Sequence, residues 1–204
     1  MPPLVRLSAG IDRVTALIGR AVAWLILAAV LVSAANAILR KSIDIGLPRP
    51  LLRWYIANSN AALELQWYLF SAVFLLAAAW TLQRNEHIRI DIVSGLMPKR
   101  MRDWIDLLGH LLMLMPFVGL MIYQAIPYLG TSWRLQERSA NAGGLLLWPA
   151  KALIVAGFSL LFLQGVSEII KRVAVMRGTI PDPAPEHRAP PEVEEQLPAR
   201  SLPP

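Results

Sequence analysis

Residues 64–91, ELQWYLFSAVFLLAAAWTLQRNEHIRID, decide the fold of this chain. The apolar run at 65–82 has about the length that one helix needs to cross a bilayer. Glu64 and Gln66 stand at one end of this run, and a cluster of charged and polar residues begins with Arg84 at the other. The stretch therefore predicts a membrane-spanning helix with polar groups at both ends.

The composition of the whole chain also indicates a membrane protein. Of its 204 residues, 55% are hydrophobic and 17% are charged, against roughly 45–50% and about 25% in a soluble domain. The pI is near 10.2, but the basic residues flank the apolar runs, which is typical of topology determinants. We therefore expect the lipid bilayer as a partner and no nucleic acid. Cysteine is absent, which excludes disulfides, thiolate nucleophiles and zinc–thiolate sites.

Four apolar runs predict an all-α membrane protein with four transmembrane helices, and a proline inside the third run, Pro116, should kink that helix. Charged or polar segments separate the runs from one another. The predicted spans are 21–39, 61–82, 104–128 and 145–170, which together form a transmembrane domain at 21–172.

Three segments lie at the edges of these spans. Residues 1–20 have helical apolar spacing and are expected to form a cytosolic or interfacial lead-in helix. The segment at 48–60 fits either a short interfacial helix or an ordinary loop with an aromatic anchor. Residues 173–204 are rich in proline and acidic side chains, which predicts a disordered tail.

The first apolar run also contains a sequence that resembles a signal-peptidase site, Ala35-Asn36-Ala37. The run continues beyond it, and Arg40 and Lys41 would follow a cut directly, where positive charge resists export. We therefore expect the first helix to be retained.

The distribution of Lys and Arg predicts the orientation. Eleven of them lie near the N-terminus, in the second connector and in the proximal tail, and six lie in the first and third connectors. Positive charge collects on the cytosolic side. Both termini are therefore expected in the cytosol, with Glu64 near the outer surface.

Three polar residues at the outer ends of the spans are candidate contacts. A carboxylate within a span usually faces protein or water, so Glu64, together with Gln66, is a candidate for contact with another helix or subunit. Lys151 lies at a similar depth in the fourth span. Lys151 either forms an ion pair with Glu64 or extends alone to the lipid headgroups.

At the other end of the second span, the charged turn offers Arg84, His87, Arg89 and Asp91. Glu86, His87 and Asp91 are metal-ligand types, but the interleaved arginines oppose a divalent cation and no second cluster completes a site. The alternation with isoleucines predicts a docking surface instead. The chain contains no hydrolase, zinc-protease or nucleotide-binding motif, so neither an enzyme nor a bound cofactor is expected.

The order and spacing of three stretches resemble a known family. These stretches are 63–92, the sequence MPKRMRDWIDLLG at 97–109, and the Gly-Gly to Trp-Pro-x-Lys run at 143–154. Together they resemble the small membrane subunit, DctQ-like, of tripartite ATP-independent periplasmic (TRAP) transporters, and within it the branch labelled for mannitol or chloroaromatic compounds.

That resemblance implies a scaffold in the bacterial inner membrane. Its partners would be a large membrane subunit, which carries the sodium and substrate sites, and a periplasmic binding protein, which delivers an organic anion. Glu64, the turn from Arg84 to Asp91 and Lys151 match the family pattern. Composition alone is equally consistent with a structural or assembly protein, or with the membrane anchor of another complex.

Overall fold

The computed structural model describes residues 3–45, 48–84 and 98–181 of the chain. Within these ranges the protein consists of helices and connecting turns, with one isolated β-bridge. The helices are α1 (Pro3–Ile45), α2 (Arg49–Arg84), α3 (Lys99–Leu108), which passes through a π-helical segment (Gly109–Leu114) into α4 (Met115–Leu135), and α5 (Trp148–Met176).

Helix α5 is the centre of the bundle because it contacts each of the other helices. Helices α1 and α2 form an antiparallel hairpin. The hydroxyl of Tyr55 donates to the side-chain oxygen of Asn36 at 3.1 Å near one end, and the amide of Gln83 donates to the backbone oxygen of Asp12 at 3.0 Å near the other. The polar side chains therefore collect at the two ends of an apolar bundle.

Small residues allow the helices to approach closely. A Cβ added at Gly157 in α5 would lie 2.7 Å from the Cβ of Leu75 in α2, and one added at Gly19 in α1 would lie 2.5 Å from the ring of Trp80. In a bilayer the hydrophobic effect does not drive helices together, so close van der Waals packing at small residues carries much of their association.

The prediction of an all-α membrane protein is confirmed. Four helical stretches of the described chain are long and apolar enough to cross a bilayer, namely 3–42, 49–84, 100–135 and 148–176. Each is longer than the predicted span. The lead-in segment at 1–20 continues without a break, from Pro3 onward, into the first span, and the segment at 48–60 becomes the first turns of α2 from Arg49 rather than a separate helix or a loop.

The third span contains a π-helical segment directly before Pro116. The backbone N–H of Met115 donates to the oxygen of His110, five residues back. Proline has no N–H and its ring crowds the preceding turn, so a widened turn is one way for a helix to accommodate it. The expected distortion at Pro116 is thus a π-helical turn.

Candidate functional site

One face of α2 presents a row of three polar side chains to the loop at 136–147, which joins α4 to α5. Asn60, Glu64 and Tyr68 are spaced four residues apart, so they lie on one stripe of the helix. Each of them hydrogen-bonds to this loop. We call the three side chains and the loop the Glu64 clamp.

Glu64 accepts three hydrogen bonds, and all of them come from the loop. The hydroxyl of Ser139 and the side-chain amide of Asn141, at 2.9 Å, donate to Oε1. The backbone N–H of Leu145 donates to Oε2 at 2.6 Å. Hydrogen bonds to an ionised group are about twice as strong as those between neutral groups, so this carboxylate holds the loop and is occupied on both oxygens.

The neighbours of Glu64 extend the clamp in both directions along α2. The side-chain amide of Asn60 donates to the backbone oxygen of Ala142 at 3.0 Å. The hydroxyl of Tyr68 donates to the backbone oxygen of Leu146 at 2.7 Å. These contacts tie two loop carbonyls, four residues apart, to one helix, so the loop is fixed at several points rather than at one.

The loop has a backbone that requires specific residues. An isolated antiparallel bridge pairs Arg138 with Leu146, and the N–H of Ser139 donates to the oxygen of Leu145 at 3.0 Å. Gly143 has a φ of 72°, and a Cβ added there would collide with the backbone oxygen of Ala57 in α2. Glycine at this position therefore permits both the turn and its contact with the helix.

Neither alternative for Lys151, an ion pair with Glu64 or a lysine that extends alone to the headgroups, is found, because Glu64 and Lys151 have different partners. The ammonium of Lys151 lies 2.5 Å from Oε2 of Glu137 and 3.8 Å from the centre of the Tyr128 ring. Lys151 is buried in the first turn of α5. The carboxylate that pairs with Lys151 thus comes from the start of the loop. Because Glu137 lies outside the helices, helical spacing in the sequence does not predict this pair.

The hydrogen bond from Lys151 holds the pKa of Glu137 below its ordinary value of 4.5. The cause is that this bond stabilises the ionised form of the carboxylate. Glu137 also accepts the N–H of Leu147 at its backbone oxygen, at 2.8 Å. Glu137 therefore helps to close the base of the loop through both its side chain and its backbone.

The remaining predicted residues lie outside the clamp. Gln66 is half-buried on α2 and hydrogen-bonds to no described residue, while Arg84 lies 5.6 Å from the ring centre of Trp80 at the end of the same helix. His87, Arg89 and Asp91 lie outside the described residues, and the docking role of that turn stays a prediction.

A second polar cluster, which sequence reasoning missed, centres on Asp12 at the opposite end of the bundle. Its Oδ1 accepts from Gln164 at 2.9 Å and from Ser167 at 2.7 Å, and its Oδ2 lies 3.1 Å from the ammonium of Lys171. Lys171 also pairs with Glu168 at 2.6 Å. Two features of the sequence could have indicated this cluster. Asp12 is a carboxylate among the apolar positions of α1, and Ser167 and Lys171 lie four residues apart on α5.

Basic residues of α5 also bind α3 at this end. Arg172 lies 3.1 Å from Asp103 and 2.9 Å from Asp106. Sequence spacing predicts that Lys171 and Arg172 both support Glu168 within α5. Lys171 does so, whereas Arg172 instead joins two helices. The cluster therefore fixes α1, α3 and α5 relative to one another.

These arrangements can hold backbone and helices in place, and they show no constellation for catalysis. Across 3–45, 48–84 and 98–181, no group of three or more His, Asp or Glu side chains is placed to hold a metal ion. The carboxylates at both ends are occupied by donors from other segments of the same chain. Contacts within the chain therefore brace both ends of the described bundle.

The fold is that of a multi-pass α-helical membrane protein. The family model for the DctQ component of tripartite ATP-independent periplasmic transporters matches residues 50–175. The match covers more than half of the chain, and the chain belongs to this family. It does not select a branch within the family. No curated protein and no solved structure matched.

Proposed function

We propose that this chain is the scaffold on which the large membrane component of a TRAP transporter takes up an organic anion with sodium. The anion, of the carboxylate class, is delivered by a periplasmic binding protein. The family membership supports the transporter assignment, and the chain resides in the bacterial inner membrane as part of this proposal.

The occupied state of Glu64 is the observation that carries a scaffold role. A residue that binds a substrate or a coupling ion must leave an oxygen or a cation accessible to it. In Glu64, three of the about four acceptor positions of the carboxylate are taken by donors of its own loop, and Lys151 is paired with Glu137. We therefore assign the ion and substrate sites to the large component.

We further propose that the Glu64 clamp faces the periplasm and forms part of the surface that receives the binding protein. The distribution of basic residues along the chain supports the periplasmic orientation. The hydrogen bonds of the clamp, which hold the polar loop in one conformation, support a docking role. A fixed loop loses little conformational freedom on contact with a partner, which lowers the entropic cost of docking.

Reconstitution tests the proposal. The large component is placed in liposomes with or without this chain, and the binding protein is added with the organic anion identified in it by mass spectrometry. Sodium-driven uptake should require this chain. Uptake that persists at the full rate in its absence would contradict an obligate scaffold.

A further inference from the structure

A groove of 460 Å³ runs along the N-terminal part of α1, where α1 packs against α5. Its walls are largely aliphatic, and the lining residues include Leu7, Val14, Leu160 and Leu163. Leu7, Val14 and Leu163 are each about half exposed, so their apolar surfaces are open along the side of the bundle.

Gly10 leaves part of this groove open. A Cβ added at Gly10 would meet nothing within 4 Å, in contrast to Gly19 further along α1, where the ring of Trp80 fills the space. The groove is therefore largely apolar and extends along residues 6–15 of α1. This is the shape of a site for a flexible hydrocarbon chain, and it offers few polar groups to a water-soluble ligand.

One arginine lines the groove, and a second lies beside it on the same helix by helical spacing. Arg6 lines it, and Arg13 follows seven residues later on the same stripe of α1. Both are exposed, and neither forms an ion pair with any described residue. The acidic side chain between them, Asp12, is already bound to Lys171, Gln164 and Ser167. Positive charge beside the groove is thus uncompensated within the described chain.

The groove crosses the edge of the apolar part of the bundle. The cluster around Asp12 marks that edge, since charged side chains of α1, α3 and α5 meet there. Arg6 lies six residues before Asp12, which is about 9 Å along a helix. The aliphatic part around Val14 and Leu160 lies on the membrane side of the cluster. One end therefore suits an acyl chain, and the other places guanidinium groups at the level of the headgroups.

We propose that this groove binds an anionic glycerophospholipid, with an acyl chain between α1 and α5 and the phosphate against Arg6 and Arg13. Arginine suits a phosphate because its planar guanidinium donates two parallel hydrogen bonds. The lipid supplies the negative charge that the described residues do not. It also covers the apolar surface that two packed helices leave open.

Lipid retention by the purified full-length chain tests the proposal. Native mass spectrometry would compare phosphatidylglycerol with phosphatidylcholine of the same acyl chains, added to the protein in detergent. We expect phosphatidylglycerol to bind more tightly. Arg6→Gln should weaken this binding about fivefold, the effect of removing one arginine at an anionic membrane surface. Equal retention of the two lipids would overturn the proposal.

Matched variants separate groove filling from damage to the fold. Gly10→Leu should fill the groove and abolish the preference for phosphatidylglycerol. Gly119→Leu is the control, because Gly119 also has nothing within 4 Å of an added Cβ but lies on α4. Arg20→Gln is the charge control, since Arg20 lies on α1 beyond the groove and donates to the oxygen of Ala16. Loss of the preference in the controls, or its survival in Gly10→Leu, would contradict the site.

A photo-crosslinking amino acid at Leu163 identifies the occupant in the cell. The side chain lines the groove and is 47% exposed, so a benzophenone there reaches whatever fills it. We expect an adduct with the mass of an anionic phospholipid. An adduct with a second protein alone would show that a subunit covers this face and would overturn the lipid assignment.

Discussion

The ammonium of Lys151 lies 2.5 Å from Oε2 of Glu137 and thereby joins the first turn of α5 to the segment that follows α4. The same lysine lies against the ring of Tyr128 in α4. A cation that is removed from water needs such partners, because its desolvation is costly. This contact closes the loop that Glu64 holds from the opposite side.

Charge reversal distinguishes this pair from the one that sequence depth suggested. Lys151→Glu and Glu137→Lys should each lower the melting temperature in detergent, and the double variant should recover most of the loss, because the attraction is restored. The matched control is Lys151→Glu with Glu64→Lys, which should be no better than the worse single variant. Recovery in that control instead would place Lys151 with Glu64.

The lowered pKa of Glu137 predicts a pH dependence of stability. In the unfolded chain the carboxyl takes up a proton near pH 4.5, whereas in the folded protein it stays ionised to lower pH. Its contribution is therefore complete above pH 4.5 and is lost as the pH falls through the lowered value. The difference in melting temperature between the parent and Glu137→Gln should shrink over this interval. A difference that stays constant with pH would contradict the Lys151 contact.

Gly157 tests the close approach of α2 and α5. Gly157→Ala would force the Cβ against Leu75 and should cost about 1–3 kcal/mol, as overpacking of a tight interface does. Gly119→Ala, with open space around it, is the control and should cost nothing. Unfolding in mixed micelles measures both, and equal effects would contradict the packing.

The orientation can be tested with single cysteines, because the chain has none of its own. Asn58→Cys lies near the Glu64 clamp and Thr179→Cys lies beyond α5, and both positions are exposed. In intact spheroplasts a membrane-impermeant maleimide should label Asn58→Cys and leave Thr179→Cys unlabelled until the cells are permeabilised. The reverse pattern would place the clamp in the cytosol.

The sequence was sufficient to predict the four spans, because a run of about twenty apolar residues has the length and composition of a helix that crosses a bilayer. It underestimated their lengths, since helices continue past the bilayer when they pack on one another. The segment around Trp54 and Tyr55 illustrates this. Its amphipathic composition suggests the interface, but Tyr55 is buried against α1 and bonds to Asn36, which extends α2.

The partners of the polar residues could not be read from the sequence. Glu64 was identified as a contact residue, yet its donors lie in a loop more than seventy residues away. Depth in the bilayer suggested Lys151 as its partner, but depth does not fix which faces of two helices meet. The sequence did not indicate a role for Asp12, because its partners Ser167 and Lys171 are brought near it only by the packing of α1 on α5.

In the proposed function, Glu64 serves transport by holding its loop rather than by binding the substrate. Glu64→Ala leaves the donors of the loop without a partner, which should cost about 1–3 kcal/mol locally and abolish uptake in the reconstituted system. Asn60 and Ala142 are in contact across the clamp, at 3.0 Å. Cysteines at these two positions can be joined by a short, reducible bis-thiosulfonate linker that holds the loop without the carboxylate.

The most direct measurement is sodium-driven uptake by liposomes that contain Glu64→Ala with Asn60→Cys and Ala142→Cys. Addition of the linker should restore uptake, and its reduction with dithiothreitol should abolish uptake again. A linked protein that stays inactive, although the linker has formed, would show that the carboxylate of Glu64 itself takes part in transport.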